Sequence, residues 1–234
     1  VYKRQGYETV CDRLSKMTVQ MLFLCNPNNP TGNTIPEQIL TEILQFCASK
    51  KIRVVADECF LRFHPHYEKM SCKRFLKQYP NLLIVNAFTK FYAMAGLRLG
   101  YLMTGDLSLL HAVAQQLPEW NVSSIAQRAG ISALQDTEYE KRTRQLIEKE
   151  RRYLIQEFLK MGCTVFPSEA DYITFRLPQE KTGFLLKERL LEGKILIRSC
   201  ANYRNMPPDC YRIAVKQHAD NEELVRQVWR ILIQ

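Results

Sequence analysis

Residues 82–101 read LLIVNAFTKFYAMAGLRLGY, and the reading of this stretch decides the fold. Leu82 to Val85 is a short, continuous apolar run, the pattern of a strand covered on both faces. It ends in Asn86-Ala87-Phe88-Thr89-Lys90, and Arg98 follows inside Gly96-Leu97-Arg98-Leu99-Gly100. A lysine just past an interior strand has apolar surroundings, which disfavour its ammonium form. A neutral amine is a nucleophile, and its usual use is a Schiff base with a carbonyl. Arg98 offers a fixed cation to a nearby anion such as a phosphate. A lone lysine after a strand is more often a solvated charge, so the neighbouring segments must decide.

Working towards the N-terminus, Arg53 to Ala56 is a second apolar run, closed by Asp57-Glu58, and Met21 to Cys25 is a third, followed by Asn26-Pro27-Asn28-Asn29-Pro30-Thr31-Gly32. Between these two, Ile39, Leu40, Ile43, Leu44 and Cys47 keep helical spacing behind Pro36, which suits a first helical position. A basic, polar helix is expected over 72–78, and Leu99 to Met103 adds a further strand. Strands alternating with helices predict right-handed crossovers and a mostly parallel sheet. In such a sheet ligands gather at the carboxyl ends of the strands. Asn29, Asp57 and Lys90 follow three successive strand ends, so they are expected to converge on one crevice.

Towards the C-terminus, helices are expected over 107–116 and 123–134, then a long helix over 138–160 ended by Gly162. The remainder predicts a strand at 172–177, a helix near 183–192, strands at 195–198 and 211–215, and a closing helix from Asp220. The expected division is 1–136, a large domain, and 137–234, a connecting helix with a small α+β domain.

The chain has 234 residues, 46% of them hydrophobic, enough to bury a core. No apolar run approaches a membrane span and no signal peptide opens the chain, so a cytoplasmic protein is expected. The opening Val1-Tyr2-Lys3-Arg4-Gln5 has no evident structural role. The net charge of +9 comes from scattered basic residues rather than a stripe, which suits a small anionic ligand as well as nucleic acid and argues for neither alone. The eight cysteines form no C-x-x-C pair and no zinc spacing, and read as reduced core residues; His64-Pro65-His66 reads as loop packing, so no metal is expected.

The donor set suits pyridoxal 5'-phosphate. Lys90 matches its aldehyde, Asp57 its pyridinium nitrogen, Asn29 its phenolic oxygen and Arg98 its phosphate. Arg212, in Tyr211-Arg212-Ile213-Ala214-Val215, suits a substrate carboxylate.

The pieces N-P-T-G at 29–32, D-E-x-F at 57–60, T-K at 89–90 and G-L-R-L-G-Y at 96–101 resemble, in order and spacing, the class I/II aminotransferases of the fold-type I pyridoxal phosphate family. The resemblance runs from about residue 17 to the end. It implies an α/β fold, a large domain with a mostly parallel sheet followed by a small α+β domain, and carries the same roles to Asn29, Asp57, Lys90, Arg98 and Arg212. Two branches are most similar: decarboxylases of L-threonine O-3-phosphate, from cobalamin biosynthesis, and histidinol-phosphate aminotransferases. The first is favoured by Phe60, where most relatives carry tyrosine, by FTKFYA at 88–93, and by ILIRSCANY at 195–203, in which Arg198 is expected to bind the substrate's phosphate. The expected activity is therefore decarboxylation of L-threonine O-3-phosphate to (R)-1-aminopropan-2-yl phosphate, with amino transfer to an imidazole keto phosphate as the alternative and a ligand-sensing domain of a regulator as a third reading. The resemblance also implies a homodimer, with neither nucleic acid nor membrane as partner.

Two departures accompany the resemblance. Ala87 stands where the family has a serine on the cofactor phosphate, a loss of about 1 kcal/mol. The family's N-terminal arm, phosphate-cradling loop and ring-stacking aromatic are expected before Met21, so the sequence reads as truncated at its N-terminus and the isolated chain as inactive.

Overall fold

The computed structural model describes residues 7–181, 183, 185–207 and 209–233; the opening pentapeptide singled out above lies outside them. The chain divides into two compact units, the first comprising Val1–Asn26, Ile35–Arg62 and His66–Thr137, the second Pro27–Thr34, Phe63–Pro65 and Glu138–Gln234.

In the first unit, β1 (Met21–Cys25), β2 (Arg53–Asp57) and β3 (Leu82–Ala87) lie side by side in that order and parallel, as the alternation predicts. Leu24 pairs with Ala56 and Ala56 with Ile84, so alternate residues of all three strands share one face. That face meets α2 (Glu37–Ser49), whose Leu40, Ile43, Leu44 and Cys47 repeat at helical spacing and are all buried. Val54, Ala56, Leu82 and Ile84 complete this core. Burying each large aliphatic side chain contributes about 1.5–3 kcal/mol, which holds the crossover helix on the sheet. Preceding β1, α1 (Tyr7–Ser15) packs Val10 and Leu14 against the same core. Its residues carry no cap or periodic signal strong enough to announce it.

β4 (Gly100–Thr104) runs antiparallel to β3, with Ala87 opposite Gly100 and Ile84 opposite Met103. The chain therefore doubles back after Lys90 instead of crossing over. Gly100 is required at this return, because a Cβ there would lie 2.9 Å from the Asn86 carbonyl oxygen. Two capped helices follow: α4 (Leu107–Gln116) and α5 (Ser124–Gln135) begin with Asp106 and Ser123 side chains accepting from the N–H groups of Leu109 and Ala126.

The helix expected over 72–78 does not form. A four-residue α3 (Tyr67–Met70) leads instead into a tight 3₁₀ turn over Cys72–Phe75. The reason is Glu58, wholly buried, whose carboxylate accepts from Ser71 Oγ at 2.7 Å and from the Cys72 N–H at 2.6 Å. This anchor fixes the turn where a helix would have propagated.

In the second unit, β5 (Thr164–Val165), β6 (Tyr172–Arg176), β8 (Cys210–Ala214) and β7 (Arg198–Ser199) form an antiparallel sheet in the order β5-β6-β8-β7. The long α6 (Thr137–Lys160) buries Leu154 and Phe158, with the Phe158 ring 4.2 Å from that of Phe175. The helix carries Glu140–Arg144 and Glu148–Arg152 pairs at i,i+4 spacing. α7 (Leu186–Glu192) and α8 (His218–Ile233) complete the unit. The strand expected at 195–198 is confined to Arg198–Ser199. The Lys194 and Ile195 N–H groups instead bond back to Leu191 and Leu190 carbonyls, closing the end of α7.

All eight cysteines are free, and six of them are buried. Burial pushes the Cys47 thiol up to about 11 and the Cys163 thiol up to about 12, as expected of inert packing residues. Among the described residues no group of His, Cys, Asp and Glu is placed to hold a metal ion, and no helix is long and apolar enough to cross a membrane.

Candidate active site

Parallel pairing puts the carboxyl ends of β1, β2 and β3 along one edge of the first unit. The ladder continues past the strands, with the Asn26 N–H bonding to the Asp57 carbonyl and the Glu58 N–H to that of Val85, both at 2.9 Å. Asp57, half-buried at the end of β2, accepts the Cys59 N–H on Oδ1 at 3.0 Å. This pins the carboxylate at the sheet edge and leaves its second oxygen as an acceptor. Burial, and then Asp57, push the Cys59 thiol up to about 12, while the charge of Lys90 pulls the other way, so all three groups share one neighbourhood.

Lys90 follows β3 on the same edge. It is exposed, with its Nζ 5.6 Å from the centre of the Phe60 ring. The apolar enclosure expected from its position after an interior strand is thus absent: the strand ends at Ala87 and the turn carries Lys90 out of the core. The turn is closed by Ala93 N–H to the Lys90 carbonyl at 3.1 Å and Met94 N–H to that of Phe88 at 3.3 Å. Ala93 and Arg98 take left-handed backbone angles, φ +54° and +52°, at a cost of about 1–2 kcal/mol each. Such strain persists only where the surroundings over-determine it, and it gathers at functional loops. Arg98 is exposed and donates from Nη1 to the Ala95 carbonyl at 3.4 Å, within its own turn.

The second unit gathers another set. Asn29 Oδ1 accepts from Arg212 Nη1 and, at 3.1 Å, from Tyr203 Oη. This orients the amide so that its Nδ2 is the end available as a donor. The loop itself is gripped by β6: Tyr172 Oη donates to the Asn28 carbonyl at 3.0 Å and Thr174 Oγ1 to that of Pro30. The Arg212 guanidinium lies 5.1 Å from the Tyr172 ring centre. Arg198 on β7 stands directly opposite Arg212 on β8. Like charges at opposed positions repel, and an anion between them would relieve that. A cavity of about 560 Å³ is lined by Arg198, Lys187, Ser199 and Asn202.

The structure thus brings Asp57 and Lys90 to one edge of the first unit, which also carries Arg98, and sets Asn29, Arg198 and Arg212 in the second. Tyr203 closes the ILIRSCANY stretch, but nothing in the sequence assigned it to Asn29 or Tyr172 to Arg212.

The family described as aminotransferase class I and II matches residues 3–228. The chain belongs to that family. Pyridoxal 5'-phosphate is the cofactor of this aminotransferase family. The threonine-phosphate decarboxylase of Salmonella typhimurium is 37% identical over 212 residues, 90% of this chain and 57% of that protein. Histidinol-phosphate aminotransferase 2 of Carboxydothermus hydrogenoformans is 30% identical over 230 residues, 98% of this chain and 62% of that protein. The family protein therefore spans somewhat over half the length of these curated relatives. Among solved structures, the histidinol-phosphate aminotransferase from Clostridium acetobutylicum superposes with a TM-score of 0.90 at 30% identity, covering 97% of this chain and 67% of that one.

Proposed function

We propose that the chain carries the substrate-facing and lysine-bearing part of a pyridoxal-phosphate-dependent decarboxylase of L-threonine O-3-phosphate, yielding (R)-1-aminopropan-2-yl phosphate for cobalamin biosynthesis. The observation that carries this reading is the pair Arg198 and Arg212, set opposite each other on adjacent strands. L-Threonine O-3-phosphate bears a carboxylate and a phosphate on one small molecule, so it offers an anion to each cation. Histidinol phosphate itself has no carboxylate, so in the aminotransferase reading only the second substrate, glutamate, offers one to Arg212. Phe60, in place of the family's tyrosine, and the 37% identity to a threonine-phosphate decarboxylase support the same reading.

The residues present fit the cofactor in kind. Asp57 is a pinned carboxylate for the ring nitrogen, Lys90 an accessible amine for the aldehyde, Arg98 a guanidinium for the phosphate and Asn29 an oriented amide for the phenolic oxygen. Ala87 supplies no hydroxyl to the phosphate. When bound, the cofactor supplies an electron sink for the bond that breaks at the substrate's α-carbon. Arg212 holds the substrate carboxylate and Arg198, with Lys187 beside it in the same cavity, holds the phosphate. Lys90 would hold the cofactor's aldehyde and would supply a proton to the substrate's α-carbon. The family protein is expected to act as a cytoplasmic homodimer.

Amino transfer to an imidazole keto phosphate is the second reading, favoured by the TM-score of 0.90 to a histidinol-phosphate aminotransferase. Supplying the chain with pyridoxal phosphate and each substrate separates the two. The decarboxylase reading expects carbon dioxide and aminopropyl phosphate from L-threonine O-3-phosphate, lost by roughly 10³-fold or more in Lys90→Ala. Arg198→Met is expected to raise KM by about ten- to a hundredfold for the phosphorylated substrate. Formation of glutamate from histidinol phosphate and 2-oxoglutarate, with no carbon dioxide from threonine phosphate, would overturn it.

A further inference from the structure

The segment after β2 and the segment after β3 meet through cation–aromatic contacts that run in both directions. Phe60 offers its ring to Lys90 Nζ at 5.6 Å. Two residues on, Arg62 offers its guanidinium to the rings of Tyr92 at 5.4 Å and Phe91 at 5.9 Å, the two residues that follow Lys90. A third ring, Tyr67, lies 4.8 Å from the same guanidinium. These distances are within the range at which a ring face attracts a cation. The rings are themselves locked. Phe91 meets Tyr92 edge-on at 5.1 Å, Tyr92 stacks on Phe88 at 5.1 Å, and Phe91, Tyr92 and Tyr67 are all buried. Arg62 is thus a half-buried cation seated among three rings, two of which, Phe91 and Tyr92, pack on each other. The backbone of the Lys90 turn, by contrast, is strained at Ala93 and would relax if released.

We propose that these contacts form a clasp in which Arg62 is a positioning residue for Lys90. By fixing Phe91 and Tyr92 it holds the neighbouring amine over Phe60. This rests on the reading of Lys90 as the reactive amine. Contact with the Phe60 ring holds the amine in one place and covers part of its approach. Asp57 and Cys59 are the titratable groups that share this neighbourhood, and both are left unchanged in the variants below.

The test needs no cofactor. The chain is labelled with trace acetic anhydride at one pH and temperature, and acetylation of Lys90 is measured by mass spectrometry against exposed Lys77. In the parent Lys90 is expected to react about two- to fivefold less than Lys77. Arg62→Met and Phe60→Leu bring the ratio close to one, their combination adds nothing further, and Arg62→Lys restores the parental ratio. Near-ultraviolet circular dichroism and the urea midpoint of each variant report folding. Should Arg62→Met fail to fold, Arg62→Gln and Tyr92→Leu read the same contact. A parental ratio in a folded Arg62→Met or Arg62→Gln protein overturns the clasp. Borohydride trapping of pyridoxal phosphate on a lysine other than Lys90, with the acetylation pattern as expected, sinks the functional reading and leaves the clasp standing.

Discussion

Gly32 closes the N-P-T-G loop, and its side-chain hydrogen is essential there for two separate reasons. Its φ of +82° lies in the left-handed region, and a Cβ would sit 2.1 Å from Ser168 Oγ. Ser168 cannot retreat freely, since its hydroxyl donates to the Tyr172 carbonyl at 2.5 Å and accepts from the Ala170 N–H. Gly32→Ala is therefore expected to lower stability by about 2–3 kcal/mol in urea unfolding. Because Asn29 belongs to the same loop, the change should also disturb the environment of Tyr203, readable by tyrosine absorbance. At the same scale, the sequence singles out Asp57, Lys90 and Asn29 by their places after strand ends. Their partners were not. Nothing in the local sequence says that Asn29 meets Arg212, because that bond depends on a sheet register set far along the chain.

Among the elements, the β2 end and the turn after α3 depend on one buried acid. Burial pushes the Glu58 carboxyl up, while the Cys72 N–H and the Ser71 hydroxyl pull it back. Glu58→Ala would leave both donors buried without an acceptor. The expected loss is about 2–4 kcal/mol by urea unfolding, and Glu58→Gln, which keeps an acceptor, should lose less. An equal loss in both variants would show that the negative charge, rather than the acceptor, matters. This element also shows why the 72–78 segment misled: its polar, basic composition suits a helix, but a carboxylate fourteen residues earlier takes its first N–H. The shortened β7 has a similar cause, since α7 claims the N–H groups of Lys194 and Ile195.

For the whole molecule, acid should act early on the second unit. Glu169 accepts from the Thr34 N–H at 3.0 Å and from its hydroxyl, and faces buried His64 at 3.5 Å. The His64 bond, chiefly, holds its carboxyl down at about 2 despite partial burial, with Thr34 adding to the effect. A carboxylate lowered on folding stabilises above its unfolded pKa, near 4.3, and loses that stabilisation as pH falls towards 2. The urea midpoint of the parent is expected to fall more steeply between pH 4.5 and 2.5 than that of Glu169→Gln. Parallel curves would exclude this tie as a source of acid sensitivity. His64, read from sequence as loop packing, serves here to join distant segments of one unit.

Period and punctuation, both local properties, determined most of the architecture. Alternating apolar runs and helical repeats specified β1, α2, β2 and β3, and parallel neighbours put Asp57 and Lys90 on one edge. The motif order from Asn29 to Tyr101 was enough to place the chain in its family. Only the tertiary structure decided that Lys90 leaves the core, that Asn29 is held by Arg212 and Tyr203, and that Arg62 sits among the rings flanking the lysine. These facts depend on which side chains long-range packing brings together. A residue's type and its neighbours in sequence fix its chemistry, but its partners are fixed by the register of strands that the chain reaches only much later.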